Sequence, residues 1–146
     1  MDPSLCFSIA GNVAMPGWLL LALAPRWKWT TALITSVLLP SLLAIAYAAL
    51  LGVHFGEVEQ GFAAFGSLAG VKAAFQNDGV LAAGWIHYLA FDLFIGSWEV
   101  RDSRKIGLSH WLVVPCLFFT LMLGPVGLLL YLVLRAAVKR QWLIES

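Results

Sequence analysis

One stretch of this sequence concentrates residue types that can move a proton: Gly84-Trp85-Ile86-His87-Tyr88-Leu89-Ala90-Phe91-Asp92-Leu93-Phe94-Ile95-Gly96-Ser97-Trp98-Glu99, with Asp102 just beyond. Asp92 sits in the middle of an apolar run. An ionised, unpaired aspartate at the centre of a membrane helix costs roughly 2.5 to 3.5 kcal/mol even on lenient insertion scales. Asp92 must therefore be neutral, paired or turned toward a polar cavity. At about 100° per residue, Trp85, Tyr88, Asp92 and Glu99 fall on one helix face and His87 points away from it. Two roles follow for Asp92: a proton donor or base, or an interhelical hydrogen bond to Asn12, a histidine or a backbone group.

A second set lies further along. His110, Thr120, Gly124, Tyr131 and Arg135 fall on roughly one side of a helical wheel, where Gly124 would let another backbone approach closely. His110, next to the charged segment Glu99–Lys105, either pairs functionally with Asp102 or Glu99 or is an interfacial residue solvated by headgroups. Trp85, Tyr88, Glu99 and Asn12 are the residues expected to contact a ligand, with a simple packing hydrogen bond as the other reading of Asn12. A metal centre is not expected, because no HExxH-type spacing occurs and the wheel separates His87 from the carboxylates. There is no phosphate-binding glycine loop, nucleophile elbow or CxxC pair. Soluble-enzyme chemistry is excluded on those grounds.

The elements that would hold these groups are apolar throughout. Of 146 residues, 61% are hydrophobic and 12% charged, with a mean hydropathy of +0.87, against roughly 25% charged in a soluble domain. Lipid removes the conflict, since a helix that is apolar all round is stable there. The formal net charge of +1 gives no reason to expect a nucleic-acid partner. Cys6 and Cys116 lie in apolar runs and suggest no disulfide framework. No basic region precedes the first apolar run, which is read as retained rather than as a signal peptide.

Four windows approach or exceed the roughly 20 residues that span a bilayer. They run over about 4–24, 30–53, 79–98 and 108–134 and predict an all-α integral membrane bundle of four transmembrane helices, a single domain over 1–146. Pro40 lies inside the second window, and Gly124, Pro125 and Gly127 interrupt the fourth, which is expected to be kinked or tilted. Between the second and third windows, Phe65, Leu68, Val71 and Phe75 recur at helical spacing and predict an interfacial helix. The segment Glu99–Lys105 reads as a charged loop. Orientation is contradictory. Short-loop counting puts Arg26, Lys28, Arg101, Arg104 and Lys105 on the cytoplasmic side with both termini opposite, while Arg135, Lys139 and Arg140 oppose that arrangement.

The stretch Leu81–Phe94, the segment from His110 through Pro115-Cys116-Leu117, and Gly124-Pro125-Val126-Gly127-Leu128 resemble the plant neoxanthin-synthase-associated membrane family. This is the abscisic-acid-deficient type with its bacterial and cyanobacterial relatives. The Gly84-Trp85 and His87-Tyr88 pairs look closer to the bacterial branch, which implies a bacterial inner or photosynthetic membrane. The resemblance implies a carotenoid or other isoprenoid as ligand, membrane lipid as surroundings, and a second copy or a membrane complex as partner. In the plant members the family's role is conversion of violaxanthin, an epoxycarotenoid, into the allenic neoxanthin. That isomerisation needs no redox cofactor: the epoxide oxygen gains a proton while a proton leaves the polyene carbon beside the ring. Asp92 and His87 are the matching acid and base positions, with Asp92 and His110 as the alternative pair. Two other functions remain open, a non-catalytic pigment- or lipid-binding accessory subunit and a proton-coupled transporter or sensor.

Overall fold

A computed structural model describes residues 2–59 and 61–140. Every regular element among them is helical: α1 (Pro3–Leu23), a π-helical segment (Thr30–Leu38) running directly into α2 (Leu39–His54), two short 3-10 turns (Phe55–Glu57 and Gly61–Gly66), α3 (Leu68–Ala74), α4 (Asp78–Lys105), α5 (His110–Leu123) and α6 (Pro125–Lys139). Three stretches are long and apolar enough to cross a membrane, Pro3–Leu23, Thr30–Glu57 and Asp78–Lys105.

Local chemistry sets the ends of these helices. Asp2 caps α1 by accepting from the backbone N–H groups of Ser4 and Leu5, and Pro3 occupies the first turn, where its missing N–H is harmless. Those bonds hold the Asp2 carboxyl below the usual carboxylate range, the Ser4 hydroxyl contributing most. Pro40 falls in the first turn of α2, where the π-helical register ends. That change of register accommodates the hydrogen bond that proline cannot make. Asn77 caps α4 through Gly79 and Val80 N–H. Gly79 is required there, because a Cβ would run into the His54 ring at the end of α2.

α4 is the central element. It packs on α1 and α2 over small residues, with Ala10, Ala14 and Gly17 of α1 and Ala82, Ala83, Ala90 and Gly96 of α4 all in the contact. A Cβ on Gly17 would come within 2.9 Å of Leu39 and Leu93 side-chain atoms, and one on Gly96 would meet Trp18. Close backbone approach supplies the packing that drives helix association in lipid, where there is no hydrophobic driving force between helices. The outer surface is correspondingly apolar, with Leu5, Leu23, Ile45, Phe91, Phe118, Leu129 and Val133 all exposed.

Two sequence expectations need correction. The window 108–134 is not one helix: it breaks at Gly124 (φ +47°, ψ −97°), a left-handed conformation that glycine adopts without strain. α5 and α6 fold back on each other as an antiparallel hairpin. α5 ascends from His110, whose Nε2 meets the Ala22 carbonyl at the end of α1, to Thr120 beside Glu99 and Gly124 beside Asp92. α6 then returns, placing Tyr131 and Arg135 on Asp102 and Lys139 near Gly107. Had α6 continued the direction of α5, Tyr131 would lie about 10 Å beyond Gly124, out of reach of Asp102. Gly127 makes the reversal possible, since a Cβ there would collide with the Thr120 backbone.

The second correction concerns the third window. α4 does not end at Trp98 but continues to Lys105, so the expected charged loop is helix. Glu99 and Asp102, one turn apart, face the hairpin and find partners there, which makes a helical path through these carboxylates tolerable.

The fold-back gathers most of the basic residues at one end. Arg26, Lys28, Arg101, Arg104, Lys105, Arg135, Lys139 and Arg140 lie toward the end of the bundle where α1, α4 and α6 finish, and Arg104 donates to the Pro25 carbonyl there. Asp2, Glu57, Glu59 and Asp78 lie toward the opposite end, with Lys72.

Candidate functional site

Asp92 lies midway along α4, half-buried, with its carboxylate against the tip of the α5–α6 hairpin. A Cβ on Gly124 would stand 3.0 Å from Asp92 Oδ1, 3.2 Å from Oδ2 and 3.3 Å from the Tyr88 ring. Asp92 Oδ2 is buried without a hydrogen-bond partner among the described residues. Tyr88, one turn earlier, donates to the Leu121 carbonyl at 3.2 Å. The tyrosine thereby satisfies one of the carbonyls that α5 leaves unpaired at its C-terminal end.

Trp85 is exposed on the outer surface, stacks on Tyr88 at 5.3 Å between centroids and meets Phe7 of α1 in a tilted contact at 5.4 Å. Phe7, Trp85 and Tyr88 thus form an aromatic ladder on the lipid-facing side that ends at Asp92. A groove of about 640 Å³ lies at its outer end, between the starts of α1 and α4.

Below Asp92 the same face of α4 carries two more carboxylates. Glu99 is completely buried. Its Oε1 accepts from the Thr120 hydroxyl at 2.9 Å and its Oε2 has no partner among the described residues. Asp102 Oδ2 accepts from Arg135 Nε at 2.8 Å and from the Tyr131 hydroxyl. All three members of this cluster are at least nine-tenths buried. Removing one partner of such a buried ion pair costs about 3–5 kcal/mol, because it leaves a charge uncompensated. The cluster pins the hairpin to α4.

The structure brings Trp85, Tyr88, Asp92 and Glu99 to one face, and leaves the other sequence candidates elsewhere. His87 lies on the far side of α4, in tilted ring contacts with Phe91 at 4.5 Å and Tyr47 at 5.7 Å. It borders a separate aromatic cavity of about 820 Å³, which Phe55, Phe62, Phe65 and Phe75 also line. His110 stands at the start of α5, about 20 Å below the hairpin tip. Its Nε2 meets the Ala22 carbonyl at 2.9 Å and its Nδ1 is buried without a partner among the described residues. Asn12 is exposed on the outer surface of α1. Neither histidine shares a site with Asp92.

The Asp102–Tyr131–Arg135 cluster is what residue-by-residue reading missed. Tyr131 and Arg135, one turn apart on the wheel side that also holds Thr120 and Gly124, were a usable signal, but no pairing to Asp102 follows while Asp102 is placed in a loop. Among the described residues no group of three or more His, Cys, Asp or Glu side chains is arranged to hold a metal ion.

Residues 5–131 match the family model described as ABA DEFICIENT 4-like. Over 147 aligned positions the chain is 26% identical to the Arabidopsis thaliana protein ABA DEFICIENT 4, chloroplastic. The alignment covers 95% of this chain and 64% of that protein, so the chain spans less than two thirds of its relative's length. No solved structure matches the chain at a significant level.

Proposed function

The chain belongs to the ABA DEFICIENT 4-like family, and from that membership we propose that it is a membrane protein acting on a carotenoid or related isoprenoid, by non-redox isomerisation with Asp92 as the proton-transferring group. The observation that carries this reading is the meeting of Asp92 and Tyr88 with the glycine tip of a helical hairpin, at the end of an aromatic ladder open to lipid. A polyene is apolar and planar over most of its length, and stacked rings present the matching surface. It would reach the ladder laterally from the bilayer.

At Asp92 the carboxyl group supplies a proton to an epoxide oxygen as its C–O bond opens. The Asp92 carboxylate so formed accepts the proton that leaves the adjacent polyene carbon, so the acid is regenerated, the product has the formula of the substrate and no electrons are exchanged. Tyr88 orients the ligand end and Asp92 rather than acting as the acid. His87 and His110 take no part in this step, because neither reaches the Asp92 side of α4.

The basic end of the bundle is assigned to the cytoplasmic side by the excess of Lys and Arg there. α5 and α6 enter the membrane from that side and return to it, so three spans and a re-entrant hairpin replace four spans. The segment of 3-10 turns and α3, with Phe62, Phe65 and Leu68 exposed, lies along the opposite interface. The membrane is a bacterial inner or photosynthetic one.

The test is conversion of violaxanthin by the purified protein in lipid nanodiscs, followed by chromatography and absorption spectra. Product is expected from the wild type, and none from Asp92→Asn at equal thermal stability. Retained conversion in that variant would remove Asp92 from the mechanism. Bound but unaltered pigment in the wild type would instead favour a non-catalytic accessory role, for which the aromatic cavity beside His87 is the supporting observation.

A further inference from the structure

Below Asp92, α4 buries two further carboxylates, and while Asp102 fastens the hairpin through Arg135 and Tyr131, Glu99 has no cation to hold among the described residues. Asp92, Glu99 and Asp102 lie on one face of α4, the first and last about 15 Å apart along the axis. That is half of a hydrocarbon core about 30 Å thick. The file runs from mid-membrane to the basic end of the bundle. Across from it the re-entrant hairpin supplies polar or side-chain-free positions at each level: Gly124 at Asp92, the Thr120 hydroxyl at Glu99, and Tyr131 with Arg135 at Asp102.

The middle member is the informative one. Glu99 has 0% of its surface exposed and one carboxyl oxygen with no partner among the described residues, and that oxygen has no counterpart to the cation and hydroxyl that Arg135 and Tyr131 place on Asp102 Oδ2. An unmet buried acceptor is costly, and a protonated carboxyl group removes the cost by carrying a donor on that oxygen. The other groups facing Glu99 are Thr120 and Cys116 from α5 and Tyr131 from α6. None of these is a cation. The unbonded Glu99 Oε2 is matched by the unbonded Asp92 Oδ2, two turns higher on the same face.

We propose that Glu99 is a proton carrier that connects Asp92 to the basic face of the membrane, along a path enclosed between α4 and the α5–α6 hairpin. Asp102, Tyr131 and Arg135 form its outer end, and the glycine tip at Gly124 forms its inner end. The direction is one-sided, since Glu99 and Asp102 both lie between Asp92 and the basic end of the bundle. Glu99 passes a proton to an ionised Asp92 and is reprotonated from the outer end; since each isomerisation returns the proton it uses, the path restores the protonated state of Asp92 and is not consumed by turnover. The role of Glu99 as supplier to a catalytic Asp92 rests on the isomerase reading. The path itself does not.

Infrared spectroscopy of the full chain in nanodiscs tests it without any substrate. On transfer to deuterated buffer, protonated carboxyl groups shift their C=O bands as they exchange. Asp92→Asn and Glu99→Gln each remove one band and so assign the two. Glutamine keeps the acceptor for the Thr120 hydroxyl, so the hairpin contact is retained in Glu99→Gln. In the wild type the Glu99 band is expected to exchange before that of Asp92. In Glu99→Gln the fast exchange of Asp92 is lost, while in Asp92→Asn the exchange of Glu99 is unchanged. Exchange of Asp92 ahead of Glu99 in the wild type, or unaltered exchange of Asp92 in Glu99→Gln, overturns the proposal, and the first result does so even if Glu99→Gln fails to fold. A protein that converts no carotenoid yet shows the ordered exchange keeps the path and loses the isomerase. One that converts carotenoid with Asp92 exchanging first keeps the isomerase and loses the path.

Discussion

The two faces of α4 solve opposite problems with residues drawn from the same short stretch of sequence. Toward the hairpin, the helix presents Tyr88, Asp92, Glu99 and Asp102 to a wall of glycines, hydroxyls and one arginine, so that acids are held in a protein-lined interior. Toward α2, it presents His87 to Tyr47 and the phenylalanines of a wide aromatic cavity, with no hydrogen bond to the imidazole from any described residue. Burying a polar group in lipid requires a partner that is itself sheltered. The hairpin meets that requirement by setting backbone and polar side chains of α5 and α6 against the acids of α4, whereas the His87 face leaves its imidazole at the rim of an apolar space.

The comparison breaks outright if α5 and α6 do not fold back. Single cysteines placed by Lys28→Cys, Ser67→Cys and Lys139→Cys, in a background with Cys6 and Cys116 replaced by alanine, report sidedness in sealed vesicles through a membrane-impermeant maleimide. Positions 28 and 139 are expected to react from the same side and position 67 from the other. Labelling of 139 together with 67 would mean that the chain 108–134 crosses as a single span, and the polar face of α4 would then have no second wall.

Next in size is the pin at the base of the hairpin. Arg135→Met leaves Asp102 buried with its cation removed and should lower stability by about 3–5 kcal/mol, read from denaturant unfolding in detergent. Adding Asp102→Leu should recover most of the loss, since an apolar replacement of both partners leaves no unmet charge. Failure of the double variant to recover would show that the pair organises the polar path beyond holding the helices together.

How much of this was open to a reader of the sequence varies along the chain. α1, α2 and the first part of α4 follow from hydropathy because each is a single apolar run ended by charge or by a cap. The alignment of Trp85, Tyr88, Asp92 and Glu99 follows from helical periodicity and holds in the structure. The hairpin does not follow, because hydropathy averaged over Leu108–Leu134 cannot tell one continuous span from two half-length helices. Gly124-Pro125-x-Gly127 signals a break but not its angle, which depends on the positive φ of Gly124 and the contact of Gly127 with Thr120. The clue was the conflict of charges: Arg135, Lys139 and Arg140 fall on the wrong side of a four-span arrangement and on the right side of a three-span one. Once the chain turns back, Asp102 and Arg135 can meet, and the apparent loop 99–105 becomes buried helix.

A smaller effect is expected on the other face of α4. His87→Ala removes the ring contacts with Phe91 and Tyr47, worth about 0.5–1.5 kcal/mol for an aromatic pair. It should lower the melting temperature modestly while leaving carotenoid conversion intact. Loss of conversion with unchanged stability would mean that the ligand lies in the aromatic cavity, and the division of labour between the two faces would have to be reversed.

The smallest effect belongs to Asn12. Its side chain points outward from α1, no described residue bonds to it, and the small residues that pack α1 on α4, Ala10, Ala14 and Gly17, lie on the other side of the helix. Asn12→Ala should therefore change stability by no more than about 0.5 kcal/mol, as for a surface substitution away from any packed feature, and should leave conversion untouched. An amide directed at lipid nevertheless gains nothing from its surroundings, and in membranes such a group finds its hydrogen bond on a neighbouring helix. A monomer indifferent to Asn12→Ala and a native-membrane preparation destabilised by it are compatible only if another chain covers that face of α1. The same substitution measured in both states, with cross-linking to report association, thus separates a lone chain from one that works beside a partner.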